Sequence, residues 1–418
     1  MNQLRSATHY LLATATKVLS ALVLIKLLAL YLGPEGFGLL SQLMGLVAVA
    51  GMLAGGGISS GVIKVLSAKA SSSEERRCWI ACALTITLAF SSVLALVLAG
   101  SASLISTSLL QGQFCRTILV LSVTQFFVGI GSLLLAVASG QGDSRKYMAI
   151  NVTGTIFGAV LVAAGAYWYG VDGAAFTTVM SPAMLGVVGI AMAFRGDSCI
   201  VLVRPAVDWV RLKHLLSFSS LTWVGALSVP LAQMYMRELM ASSYSWEKVG
   251  YWQGVVKISD VYMQFVGVVL INHALPRFSR SGARLAIGEL KKVIVWLIVF
   301  LGLGFAVVWP IKDRVIALVF SESFLPVGGY LFPQMLGDIF RTIASACSFF
   351  LLARGCLRIS LGFEFAQGIG LFVFFQLLSE SCGEMSPVYS HVANYAVLSV
   401  LMGFLVKRFL LRSEPWTR

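Results

Sequence analysis

The chain has 418 residues, 58% of them hydrophobic and 12% charged, and its 31 Lys and Arg outweigh 18 Asp and Glu to give a formal net charge of +13. A chain this apolar cannot hide its side chains in one aqueous core, so its solvent is largely lipid and a soluble globular enzyme is excluded. A nucleic-acid role is excluded with it, because no soluble basic domain is present to carry one.

Apolar runs recur along the chain, each near or above the roughly 20 residues that cross about 30 Å of hydrocarbon as a helix. The ~10-residue alternation of a membrane β-barrel is absent. The first run, from Arg5 to Leu32, is interrupted by Lys17 and Lys26 and has no small-x-small cleavage site, so it is expected to be a retained span. Reading onward, spans are expected at 11–32, 37–63, 78–100, 117–139, 149–169, 171–194, 217–240, 251–275, 292–311, 328–353, 359–378 and 387–406. The seven cysteines offer neither metal spacing nor a disulfide framework, and Cys78 and Cys82 read as buried thiols.

Between these spans the cations divide unevenly. Arg116, Lys248, Lys312 and Arg314 fall on one side, five more fall inside spans, and the other 22 lie on the opposite side. Positive loops face the cytoplasm, which places both termini there. The longest cytoplasmic connection, 195–216, separates two sets of six spans. An even number makes the halves a parallel repeat. Glu35 and Gly38 match Glu247 and Gly250 at an offset of 212. The expected organisation is therefore an all-α membrane protein of about twelve helices in two six-helix lobes, 1–200 and 217–406, around a central cavity. A linker, 201–216, joins the lobes, and a basic tail, 407–418, follows. Within the linker, 208–216 reads equally as an interfacial amphipathic helix or as an exposed connector.

Nine charges fall inside expected spans: Lys17, Lys26, Arg237, Lys257 and Arg341, with Glu238, Asp260, Asp338 and Glu364. At roughly 3 kcal/mol each near a helix centre, nine lipid-facing charges would exceed the net stability of most folds. Most must snorkel, pair or line a wet cavity. Lys17 and Glu364 lie near cytoplasmic span ends, where snorkelling or a loop partner suffices. Lys257 with Asp260, and Asp338 with Arg341, are spaced three residues apart on one helix face, as self-neutralised pairs or as the lining of a passage. In the second reading Lys26, Arg237, Lys257 and Arg341 draw an anionic head group, and Asp260, Asp338 or Glu364 are the candidates for ion coupling or pairing. The four histidines (His9, His214, His273, His391) are scattered without evident partners. No metal ligand set, cofactor motif or phosphate-binding loop occurs.

The segments KLLALYLGPEGFGLL (26–40), LAGGGISSGVIK (53–64), YSWEKVGYWQGVVKISDVYMQF (244–265) and LPRFSR (275–280) carry a family likeness. Through them the chain resembles the Wzx-type lipid-linked oligosaccharide flippases of the multidrug/oligosaccharidyl-lipid/polysaccharide exporter superfamily, in the branch serving enterobacterial common antigen and O-antigen. The resemblance runs in span order over essentially the whole chain. It implies an inner-membrane protein that takes an undecaprenyl-pyrophosphate-linked glycan from the cytoplasmic to the periplasmic leaflet by alternating access. A polysaccharide polymerase and a chain-length regulator are its implied partners. It transfers no catalytic motif. A multidrug antiporter of the same superfamily would call for an acidic cavity, whereas intramembrane cations here outnumber acids five to four. A membrane polymerase would need reactive groups on the outer loops, of which 101–116 and 312–327 are the largest.

Overall fold

In lipid every backbone N–H and C=O must find a partner within its own segment, and the chain answers this with helices alone. A computed structural model describes residues 2–68, 72–195, 204–280 and 283–413, and no strand occurs among them. The twelve runs expected from hydropathy fall on helix apart from breaks at Gly55–Ile58 within 37–63, at Ser181–Pro182 within 171–194, and at Ser217–Phe218 where 217–240 begins. Among the described residues eight helical stretches are long and apolar enough to cross a membrane, and the longest of them, Thr8–Ser67 and Leu357–Leu411, each hold two expected spans. Leu96 and Val400 leave 75% and 74% of their surface exposed, as side chains facing hydrocarbon do.

The chain divides into two units, Met1–Leu32 with Leu39–Leu227, and Gly33–Gly38 with Ser228–Arg418. The first contains α1 (Asn2–Ala54) apart from its Gly33–Gly38 segment, α2 (Ser59–Ala68), α3 (Ser73–Gly100), α4 (Ala102–Leu109), α5 (Cys115–Gly140), α6 (Ser144–Met180), α7 (Ala183–Arg195) and α8 (Trp209–Leu216). The start of α9 (Ser219–Ser243) also belongs to it. Ser72 and Asp143 cap α3 and α6 by accepting from the backbone N–H of Glu75 and Lys146. α1 and α6 break at Gly33 (φ 62°) and Gly170 (φ 57°), a backbone region that side chains disfavour.

Small residues bring the helices of this unit together. A Cβ at Gly186 would meet the carbonyl of Phe127, and one at Gly131 would lie 2.7 Å from the Gly186 nitrogen. α5 and α7 therefore touch backbone to backbone, the packing that lipid-embedded helices use when no hydrophobic effect drives them together. The buried polar groups are neutral: Ser91 donates to the carbonyls of Ala54 (2.9 Å) and Gln125 (3.3 Å). In α8, Asp208 accepts from the N–H groups of Val210 and Arg211; Leu212 and Leu215 are buried, while Trp209 and Val210 are exposed. Residues 196–203 of the connection before it lie outside the described residues.

The second unit holds the rest of α9, with α10 (Trp246–Val269), α11 (Leu275–Arg280), α12 (Ala283–Val308), α13 (Lys312–Val319), α14 (Val327–Ala353), α15 (Leu357–Cys382) and α16 (Ser386–Ser413). α4 and α13 are short helices inside what hydropathy reads as the two largest outer loops. Around α14 are packed α10, α12, α15 and α16, with Phe278, Leu297, Phe350 and Tyr395 among its fully buried side chains. The Gly33–Gly38 segment packs reciprocally here: a Cβ at Gly38 would strike the carbonyl of Trp246, and one at Gly250 the carbonyl of Pro34. Pro34 and Trp246, like Gly38 and Gly250, are separated by the 212-residue offset.

Candidate functional site: a charged interior in the second unit

α14 carries Gln334, Asp338 and Thr342 at four-residue spacing, which lines them up on the face turned to α10 and α16. Asp338 is fully buried. Its Oδ2 accepts from Ser259 Oγ at 2.6 Å, the Tyr262 hydroxyl at 2.5 Å and Gln334 Nε2 at 3.5 Å, while His391 Nε2 lies 3.0 Å from Oδ1. A carboxylate buried in apolar surroundings is tolerable only with such a full set of donors. The expectation that the histidines lack partners thus fails at His391. It fails also at His9, whose Nδ1 is 2.9 Å from Ser144 Oγ, and at His214, which packs edge-on against Trp79.

Asp338 and Arg341 share a helix face as their spacing predicts, but no ion pair joins them among the described residues. The guanidinium of Arg341 instead sits over the Tyr395 ring, 5.7 Å from its centroid. From there a hydrogen-bonded chain continues: the Tyr395 hydroxyl donates to Gln367 Oε1 (2.8 Å), and Gln367 Nε2 donates to Glu364 (2.9 Å). Asn394 donates to the Gln367 carbonyl at 3.0 Å. Glu364, whose position near a span end suggests a loop partner, therefore ends an interior network that begins at α14.

Two cavities open beside this network. One, of about 130 Å³, is lined by Gln233, Trp252, Ser259, His391 and Tyr395; the other, of about 350 Å³, by Gln264, Ser348, Glu364 and Gln367. Asp260 and Arg341 border both. Each has room and polar lining for water beside Arg341 and Asp260. Lys257 pairs with Asp260 at 3.4 Å, as the spacing predicts, with both side chains partly exposed. Arg237 on α9 is 4% exposed and donates to Gln253 Oε1 at 3.3 Å, but borders neither cavity. Lys26 is half-buried on α1 in the first unit.

Asp260, Asp338, Arg341 and Glu364 are thus brought into one polar region. Their partners Ser259, Tyr262, Gln334, Gln367, His391 and Tyr395 are absent from the sequence-derived candidates. The signal for them was present: His391 and Tyr395 stand four apart, as do Gln334 and Asp338, so each pair shares a stripe in an otherwise apolar span. Among the described residues no group of three or more His, Cys, Asp or Glu is arranged to hold a metal ion.

Long apolar helices enclosing buried charges and polar cavities mark a multi-pass membrane protein, and solved structures agree on the fold. The lipid II flippase MurJ in an inward closed conformation superposes with a TM-score of 0.75 at 14% identity, over 94% of this chain and 86% of that one. An inward-facing multidrug resistance MATE family transporter of the MOP superfamily gives 0.70 at 17% identity, over 97% and 96%. The chain belongs to the polysaccharide biosynthesis protein family, whose model matches residues 27–328. Among curated proteins it is 28% identical over 392 residues to the lipid III flippase of Escherichia coli (strain K12), covering 92% of this chain and 93% of that one.

Proposed function

We propose that this protein is a flippase, a transporter and not an enzyme, that moves an undecaprenyl-pyrophosphate-linked oligosaccharide from the cytoplasmic to the periplasmic leaflet of a bacterial inner membrane. The single observation that carries this reading is that Arg341 and Asp260 border two polar cavities deep within an apolar helical unit. Two relatives support it by their names, one a lipid III flippase and the other a lipid II flippase.

In this reading the termini are cytoplasmic, and the lobes 1–200 and 217–406 expose the substrate to the two faces in turn. Lys26, Arg237, Lys257 and Arg341 neutralise the pyrophosphate, for which the fork of Arg is suited because it binds two oxygens at once. The apolar tail stays in lipid while the sugar crosses in water. A cell interior negative by 100 mV favours outward movement of an anion by about 2.3 kcal/mol per charge, so the membrane potential alone can supply direction. Where an ion is coupled as well, Asp260 and Glu364 are the acids that reach the wet cavities, and Asp338 holds their surroundings in place. A polysaccharide polymerase and a chain-length regulator take up the product.

Arg341→Gln and Lys257→Gln test the assignment in the host cell. Each is expected to make lipid-linked intermediates accumulate at least fivefold while the protein stays at its normal level. Wild-type surface polysaccharide in both variants overturns the cavity assignment. Deleting the chain and identifying the sugar on the lipid that accumulates names the glycan; if none accumulates, the flippase reading itself is wrong.

A further inference from the structure

A second site stands on the outer face of the second unit, away from the charged interior. Between α10 and α12 runs a groove of about 510 Å³, a volume typical of ligand sites. Its walls are apolar at one end, with Phe265, Val268 and Trp296, and charged at the other, where His273, Arg277 and Lys292 stand with the single acid Glu289. Phe265 and Trp296 each stack on Phe300, at 4.6 Å and 5.8 Å between centroids. The three rings remain 41%, 51% and 40% exposed for Phe265, Trp296 and Phe300, so they form a flat aromatic wall open to the bilayer.

The backbone explains why the lining falls on one line. Phe265, Val269, His273 and Arg277 are four apart, and each such step overshoots an α-helical turn by about 40°. A π-helical turn at Leu270–Ala274, closed by the Leu275 N–H on the Leu270 carbonyl, takes up that drift. Pro276 accounts for the turn, since it has no N–H for the Asn272 carbonyl and its ring would crowd that carbonyl in a regular helix. π turns of this kind occur frequently at functional sites.

We infer that this groove first receives the isoprenyl phosphate end of the lipid carrier, with its first isoprene units against the aromatic wall and its phosphate among Arg277, His273 and Lys292, before the head group passes to the charged interior. This inference rests on the flippase reading. The charge complements a phosphate, even though Lys292 also pairs with Glu289 at 3.0 Å. The basic end lies at the cytoplasmic face by the loop-charge rule, which is the leaflet where the cargo is loaded.

A photoreactive undecaprenyl phosphate tests this on the full chain, purified into nanodiscs of phosphatidylethanolamine and phosphatidylglycerol. Label is expected on 262–300, displaced by unlabelled undecaprenyl phosphate and reduced at least fivefold by Val268→Trp, which fills the groove from an exposed position. The double variant Arg277→Gln/Lys292→Gln removes the phosphate end, with a similar loss expected. Label elsewhere, no label, undiminished labelling of Val268→Trp, or equal displacement by phosphatidylglycerol overturns the groove. Those failures leave the flippase reading standing if deletion still accumulates a lipid-linked sugar; without that accumulation the flippase reading falls by itself.

Discussion

The two helices that begin alike, the second half of α1 and α10, put different side chains at matching positions. Position 260 of α10 is an Asp bordering two polar cavities; 212 residues earlier stands Ala48, bordering a cavity of about 400 Å³ lined by Leu24, Met44, Val47, Met52 and Val162. Lys257 likewise corresponds to Gly45. The first unit is held by close backbone approach and neutral hydrogen bonds, the second by charges whose partners come from four helices. The matched positions of the two helices thus keep the close contact, while Lys257 and Asp260 have no charged counterpart at Gly45 and Ala48.

The sharpest way to break this comparison is to remove the charge at the centre of the second unit. Asp338→Leu leaves Ser259, Tyr262 and His391 without their acceptor and is expected to cost about 3–5 kcal/mol, with Asp338→Asn costing less than half of that. Thermal unfolding in detergent measures both, and a loss below 1 kcal/mol for the leucine variant would show that the network does not hold the unit together. Next, placing the charge in the wrong half, Ala48→Asp puts a carboxylate beside an apolar cavity. It should lower insertion and yield by an amount equivalent to roughly 2.5–3.5 kcal/mol, read by quantitative membrane-insertion assay.

Close packing in the first unit predicts the next largest effect. Gly186→Val drives a side chain into the Phe127 carbonyl and is expected to cost about 1–3 kcal/mol or more in melting experiments. Gly302→Val in α12 meets nothing within 4 Å and should stay within about 0.5 kcal/mol of the parent. Lys257→Gln belongs with these small effects. The pair it breaks is 32% and 46% exposed, so folding stability should change by less than about 1 kcal/mol, whatever happens to transport.

Much of this was legible beforehand. Hydropathy placed the apolar runs on helices, and Gly38 and Gly250, matched at an offset of 212 residues, lie in close contact. The unusual acids and cations stood out because hydrocarbon makes each one costly. What the sequence hid was partnership: the spacing of Asp338 and Arg341 suggests a pair, yet Asp338 is satisfied from α10 and α16, and Arg341 by an aromatic ring. Neutral residues such as Gln367 and Tyr395 carry no solvation cost large enough to mark them, and His391 gains meaning only when α16 is laid against α14. The π turn was equally silent, although Pro276 announces its cause.

The reciprocal seat of Gly38 and Gly250 has an evolutionary consequence. In each case the obstacle to a larger residue is a main-chain oxygen, which no mutation can trim, so neither position can be rescued by a compensating change opposite it. The two sites should therefore be frozen as a couple across descendants of this gene, while the ionisable residues nearby are free to drift with the cargo.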